Sequence, residues 1–437
     1  MGKENHGNNT LRTVQIVVLS VTIALLTAVV IAGLALPPRW RGTGFRWSIG
    51  RFYEDEARRL ETSELPLQGA GAVAVQYEAG TDLTVRRTDG DKLVLEEYFI
   101  SDKAAAAPTE MKREGETILV ENTSCTMDGA YRFSLGPIRL AGGRDGESRA
   151  PRRAVLWLPE SYGGDLTVTM NGPSDVVYDG GAGRRDAAED RAGVQAWKGA
   201  DSGDGAEDRA GAQAWKGTDS GDGAGHGDDA ERQSRAGNAV YNFQLASGDL
   251  CVSHFVGKKL SFDCKLGDVE LSDIDADIDG VSDSGDLALT GLGKPGGRHT
   301  YRLRGRLGDC ELSEVYGESA DITLSSGDLS AEHIDASLRA SLSLGDAEIH
   351  DFGGGLTVES RSGDITVSGI RLPSYAFCWE TSSGDVEFET DDDHETLFSS
   401  LEESYAEGYH REDKAADPET LPRIALKTSL GDISVEK

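Results

Sequence analysis

The sequence predicts an all-β protein: a β-solenoid of stacked short strands behind one N-terminal transmembrane helix. A Gly-Asp pair followed by alternating apolar residues occurs nine times from Gly248 onward. An uncharged apolar run fills residues 14–36. Glycine (55 residues) is about twice ordinary usage, while Pro (12) and aromatics (7%) are sparse, the composition of many short strands joined by tight turns.

Residues 1–13 are a short polar tail. The run 14–36 (VQIVVLSVTIALLTAVVIAGLAL) carries no charge. At 1.5 Å per residue it spans a hydrocarbon core of roughly 30 Å, so its partner is the lipid bilayer. Pro37 and Pro38 stop the helix, and Trp40, Phe45 and Trp47 suit the headgroup layer. The competing reading is a cleaved secretory signal ending near Gly33 and Ala35. The run exceeds the usual signal core of about 7–15 residues, which favours a single-pass anchor. The juxtamembrane segment 37–65 holds Arg39, Arg41, Arg46 and Arg51. Charge bias alone would place the large domain in the cytoplasm, although that rule is weak for long translocated domains.

Residues 66–178 read as a β lead-in that caps the array, with strand-like runs at 72–99, 117–124, 154–170 and 175–178. Gly90-Asp91 and Gly164-Asp165 echo the later turn. Residues 179–237 are Gly, Ala, Asp and Arg with few aliphatics, including a tandem copy at 188–205 and 206–223. Too little apolar surface is present to order them, so a disordered insertion is expected.

The repeats fill 238–390. Their glycines are Gly248, Gly267, Gly285, Gly308, Gly327, Gly345, Gly363 and Gly384, with Gly431 in the final copy. The modal spacing is 18–19 residues. Glycine supplies a turn at φ > 0, and apolar residues one and three after each Asp mark a strand with one buried face. A further apolar residue follows three positions on (Phe255, Ile274, Leu292). One unit buries too few aliphatics to offset the entropy of ordering its backbone, so neighbours must stack. Residues 391–423 read as an acidic loop with a helical turn near 395–406. Residues 424–437 are the final repeat, expected to close the stack.

Lys plus Arg is 44 and Asp plus Glu 76, a net charge of −32 that opposes nucleic-acid binding. No HExxH, GxSxG or P-loop occurs. The GxGxxG at Gly291, Gly293 and Gly296 holds Pro295 and precedes a strand-like run, whereas a dinucleotide site needs a helix there. The histidines, including His254, His333 and His350, fall at differing places in their units. Cys264 and Cys310 read as core, and Cys251 and Cys378 as outward-facing. No catalytic, cofactor or metal residue is assigned. Asp249, Asp268, Asp286, Asp309, Asp328, Asp346, Asp364 and Asp385 would stack about 4.8 Å apart. Each either folds back onto an N–H of its own turn or shares a cation with its neighbour, which makes them the calcium candidates.

The repeated [S/L]-Gly-Asp-aliphatic-x-aliphatic unit resembles the DUF4097 family, bacterial β-strand repeat proteins often labelled adhesins. The resemblance covers roughly 66–437 outside the two insertions. It implies an anchored, extracytoplasmic β domain at the cell membrane and no catalytic residues. The expected function is a non-enzymatic structural or binding module of the cell envelope, with an envelope protein or wall polymer as partner and an open oligomeric state. The alternatives are a calcium-dependent adhesive module, a cytoplasm-facing sensor or scaffold, and a polysaccharide-active enzyme.

Overall fold

The structure is a computed structural model that describes residues 59–78, 80–99, 109–123, 131–135, 138–142, 151–182, 238–389, 395–411 and 420–436. The apolar run 14–36 and residues 183–237 lie outside the described residues, as does the expectation placed on each. Among the described residues no helix is long and apolar enough to cross a membrane, and the extended elements are strands throughout.

Each repeat supplies one rung to two parallel ladders. The residues after Gly-Asp form the first ladder, which runs from Asp82–Thr88 and Val176–Ala182 through Leu250–Cys264, Val269–Ser282 and Leu287–Leu292. It continues through Cys310–Leu324, Leu329–Leu342, Ala347–Phe352 and Ile365–Ile370. The residues before the next glycine form the second ladder, so strands such as Leu250–Cys264 belong to both. Side chains alternate in and out, and the inward ones from both ladders merge into one core. Within a rung, the residue five after each Asp takes positive φ at His254, Asp273, Gly291, Glu314, His333, Asp351 and Gly369. That kink shifts the alternation by one residue and turns Phe255, Ile274 and Leu292 inward.

The rungs do not stack in sequence order at the far end. Arg423–Thr428 lies between Leu356–Ser360 and Ser374–Thr381 in the second ladder. Ile433–Glu436 likewise lies between Ile365–Ile370 and Val386–Glu389 in the first. The final repeat is therefore wedged inside the stack and does not close it.

Closure comes from elsewhere. The stretch expected as an acidic loop with a helical turn forms two antiparallel strands, Glu395–Glu402 and Tyr405–Arg411, laid on the edge of Ser374–Thr381. Its burial follows a period of two, with Ala406 and His410 inside and Glu407 outside, so pairing to an open edge overrides any helical preference. Tyr375 stacks on His410 at 5.2 Å and Phe377 on Trp379 at 4.4 Å, filling the end of the core with rings.

At the opposite end, Arg153–Pro159 pairs with Asp82–Thr88, then antiparallel with Lys92–Phe99, which pairs with Arg59–Pro66. Among the described residues, strand structure thus extends into the segment expected to be juxtamembrane. The Arg87 guanidinium is buried there, donating to Tyr241 Oη at 2.9 Å and to the carbonyls of Tyr162 (2.8 Å) and Pro159 (3.0 Å). The hairpin Tyr131–Leu135 with Ile138–Gly142 belongs to a separate compact unit.

Candidate functional site

The corner between the ladders gathers the residues that the repeat pattern singled out. The nine turn glycines, Gly248 to Gly431, have φ between +116° and +149°. A Cβ on Gly327 would lie 2.0 Å from the carbonyl oxygen of Gly308 on the next rung, and the other corners are as tight. Glycine is needed here both for its backbone conformation and because the neighbouring backbone occupies the space a side chain would need.

The aspartates form one continuous column, but their bonds differ from either expected arrangement. Each Oδ1 accepts the backbone N–H of the aspartate on the adjacent rung rather than one in its own turn. The bonds are 2.8–2.9 Å from Asp249 through Asp268, Asp286, Asp309, Asp328, Asp346 and Asp364. They run on at 2.8 Å through Asp432 to Asp385. Upstream the column extends through Asp175 (3.0 Å) to Asp82 (3.3 Å). A cation shared between neighbours would compete with these bonds. Among the described residues no group of three or more His, Cys, Asp or Glu is placed to hold a metal ion.

Asp82, Asp175 and Asp432 join the column without having been candidates. Asp82 follows Thr81 and Asp175 follows Ser174, so neither shows the Gly-Asp pair. The pairs that seemed to echo it lie elsewhere: Gly90-Asp91 links Asp82–Thr88 to Lys92–Phe99, and Asp165 opens a second-ladder strand. Asp82 is largely enclosed. Burial and then the Asp175 carboxylate raise its pKa to about 6.

Beside the glycines stands a column that alternates strictly in space: Ser247, Leu266, Ser284, Leu307, Ser326, Leu344, Ser362, Leu430, Ser383. The leucines are more than half exposed, at 51–58%. In sequence order the alternation fails once, because Ser362 is followed by Ser383. Placing the final repeat between them restores it. Charges on the second ladder repeat the logic: Asp279, Arg302, Asp321 and Arg339 are successive partners, as are Glu359, Lys427 and Glu380. Lys427 Nζ is 2.8 Å from Glu380 Oε2.

Two histidines do share a column, contrary to the sequence expectation. His254 and His333 both sit five residues after their aspartates at positive φ, a match visible in the numbering once the kink is known. His254 lies 3.3 Å from Asp179 and 3.4 Å from Asp273, and His333 lies 2.8 Å from Asp351. Gly291 belongs to this same column, with Gly293 and Gly296 in the turn that follows, and no helix accompanies that glycine motif. Cys264 and Cys310 are buried, and burial raises both thiols to about 12. Cys251 and Cys378 are half-buried.

Residues 242–436 match the family described as Toastrack DUF4097. Over these residues the chain is similar to a Toastrack domain. No curated protein matches the chain. A crystal structure titled a "putative cell adhesion protein" from Clostridium sporogenes aligns over 86% of this chain and 98% of its own, at 8% identity. Its TM-score of 0.20 is too low to carry an argument. The rungs present repeated, equivalent side chains along a ladder, an arrangement suited to contact over an extended surface.

Proposed function

We propose that this Toastrack-like chain is a non-enzymatic binding module of the bacterial cell envelope, anchored once in the membrane through residues 14–36 with the β domain outside. The observation that carries the binding role is the outer face of the first ladder from Leu250 onward. Its outward rows hold Glu270, Glu311, Glu332, Glu348, Glu387 and Glu436 among Ser, Thr, Cys251, Ala288 and His350, with Glu389 in register with Glu436 and with no Lys or Arg. Glu348 meets His350 at 2.8 Å and Glu332 meets His333 at 3.5 Å, and the remaining glutamates leave the first-ladder face net negative. Such a face attracts a cationic partner, and steering across it weakens with salt. A basic envelope protein or an amine-bearing wall polymer has the required charge.

Supporting the anchor are the uncharged length of 14–36 and the envelope setting that the family resemblance implies. Protease shaving of intact cells tests the placement. Release of peptides from 59–436 before lysis is expected. Digestion only after lysis would overturn it and favour a cytoplasm-facing scaffold.

A further inference from the structure

We propose that the slot holding residues 423–436 is an acceptor, able to take the same segment from a second copy of this chain. The slot lies between two rungs that are neighbours in sequence. Everywhere else from Leu250 to Ile370, a rung rests on the one that precedes it in sequence. Here Leu356–Ser360 and Ser374–Thr381 are held apart, and Arg423–Thr428 pairs in parallel with both. The rungs that form the slot precede their occupant in the chain, so a chain whose slot is empty presents two open strand edges at once.

The slot is specific for this occupant. Lys427 separates Glu359 from Glu380, and Leu430 separates Ser362 from Ser383. Closing the slot without the segment would set Glu359 against Glu380, a like-charge pair. A segment donated by another copy makes every one of these contacts unchanged, because the donated residues are identical. Exchange of an identical element between protomers is a low-cost route to association. The segment follows the Tyr405–Arg411 strand through a connection containing Pro418 and Pro422, so donation requires only that this connection lead to a different copy.

The native thiol at Cys378 provides the test, since it is the direct partner of Ala425 across the two strands. Full-length donor chains carrying Ala425→Cys and Cys378→Ser are mixed with tagged full-length chains of native sequence. They are incubated at rising concentration and oxidised. The proposal predicts a donor–acceptor disulfide whose ratio to monomer rises about tenfold for a tenfold rise in chain concentration. It also predicts loss of that product when the acceptor carries Cys378→Ser. A control chain with Ala425→Cys alone reports that the pair can close within one molecule. If the control closes but no interchain product forms at any concentration, the slot is filled only in cis and the proposal fails. It fails equally if the product survives Cys378→Ser in the acceptor.

Discussion

Asp328 sits in the middle of the corner column, where two effects oppose each other. Asp309 and Asp346 flank it, and carboxylates about 4.8 Å apart repel by ~0.9 kcal/mol per pair in water, less once salt screens them. A hydrogen bond to a charged group contributes about 1.5–3 kcal/mol, so the bond from the Asp346 N–H to Asp328 Oδ1 wins. Asp328→Ala should therefore lower unfolding stability by about 1–2 kcal/mol. Asp328→Asn keeps the acceptor and removes a charge, so it should change stability by less than about 0.5 kcal/mol. Urea titration separates them, and equal losses would contradict the role given to Oδ1. Asp82 behaves differently because it is enclosed. Its folded pKa of about 6 lies above the usual carboxylate value, so its ionisation penalises the folded state. That penalty is absent below about pH 4 and complete above about pH 6, so stability falls as pH rises through this window. Asp82→Asn should flatten the slope and raise the melting midpoint at pH 7. Thermal scans that stay parallel for both chains across pH 4–7 would contradict this.

Among the elements, the wedged rung has the clearest energetic signature. Lys427 faces Glu359 on one side and Glu380 on the other. Lys427→Glu turns two attractions into two repulsions, and a loss of about 1 kcal/mol is expected. Adding Glu359→Lys with Glu380→Lys should restore it, as measured by denaturant midpoint. A triple variant no more stable than the single one would contradict the rung order. The interval of 47 residues before Asp432 and the broken Ser/Leu alternation were both visible in the sequence. The long interval suggests a loop followed by a closing repeat, because a repeat is most simply assumed to stack on its predecessor, and the alternation is the signal that goes against it. Charge and side-chain size across three rungs decide otherwise. The hairpin of 395–411 was obscured for a related reason. Its alternation is weak on its own and becomes legible only against the aromatic edge of Tyr375, Phe377 and Trp379.

For the molecule as a whole, the period, the corner glycines and the inward positions were legible because each is a local pattern of two or three residues. Phe255 and Ile274 stand out in the sequence only as a further apolar position, and the positive-φ residue that turns them inward is not visible there. The lead-in rungs were harder to read. At Asp82 and Asp175 the corner is built without the Gly-Asp pair, so the column could not be traced through them by motif. What holds the stack together is contact between rungs, and the order of the rungs is its central structural fact. Two single-cysteine variants of the full chain test that order against native Cys378. Ala425 is the partner of Cys378 on the adjacent strand, whereas Thr357 lies one rung further away, across the wedge. Mapping intrachain disulfides after mild oxidation should find Ala425→Cys joined to Cys378 and Thr357→Cys unjoined to it. A bond from Thr357→Cys to Cys378, with none from Ala425→Cys, would show the rungs stacked in simple sequence order and contradict the account.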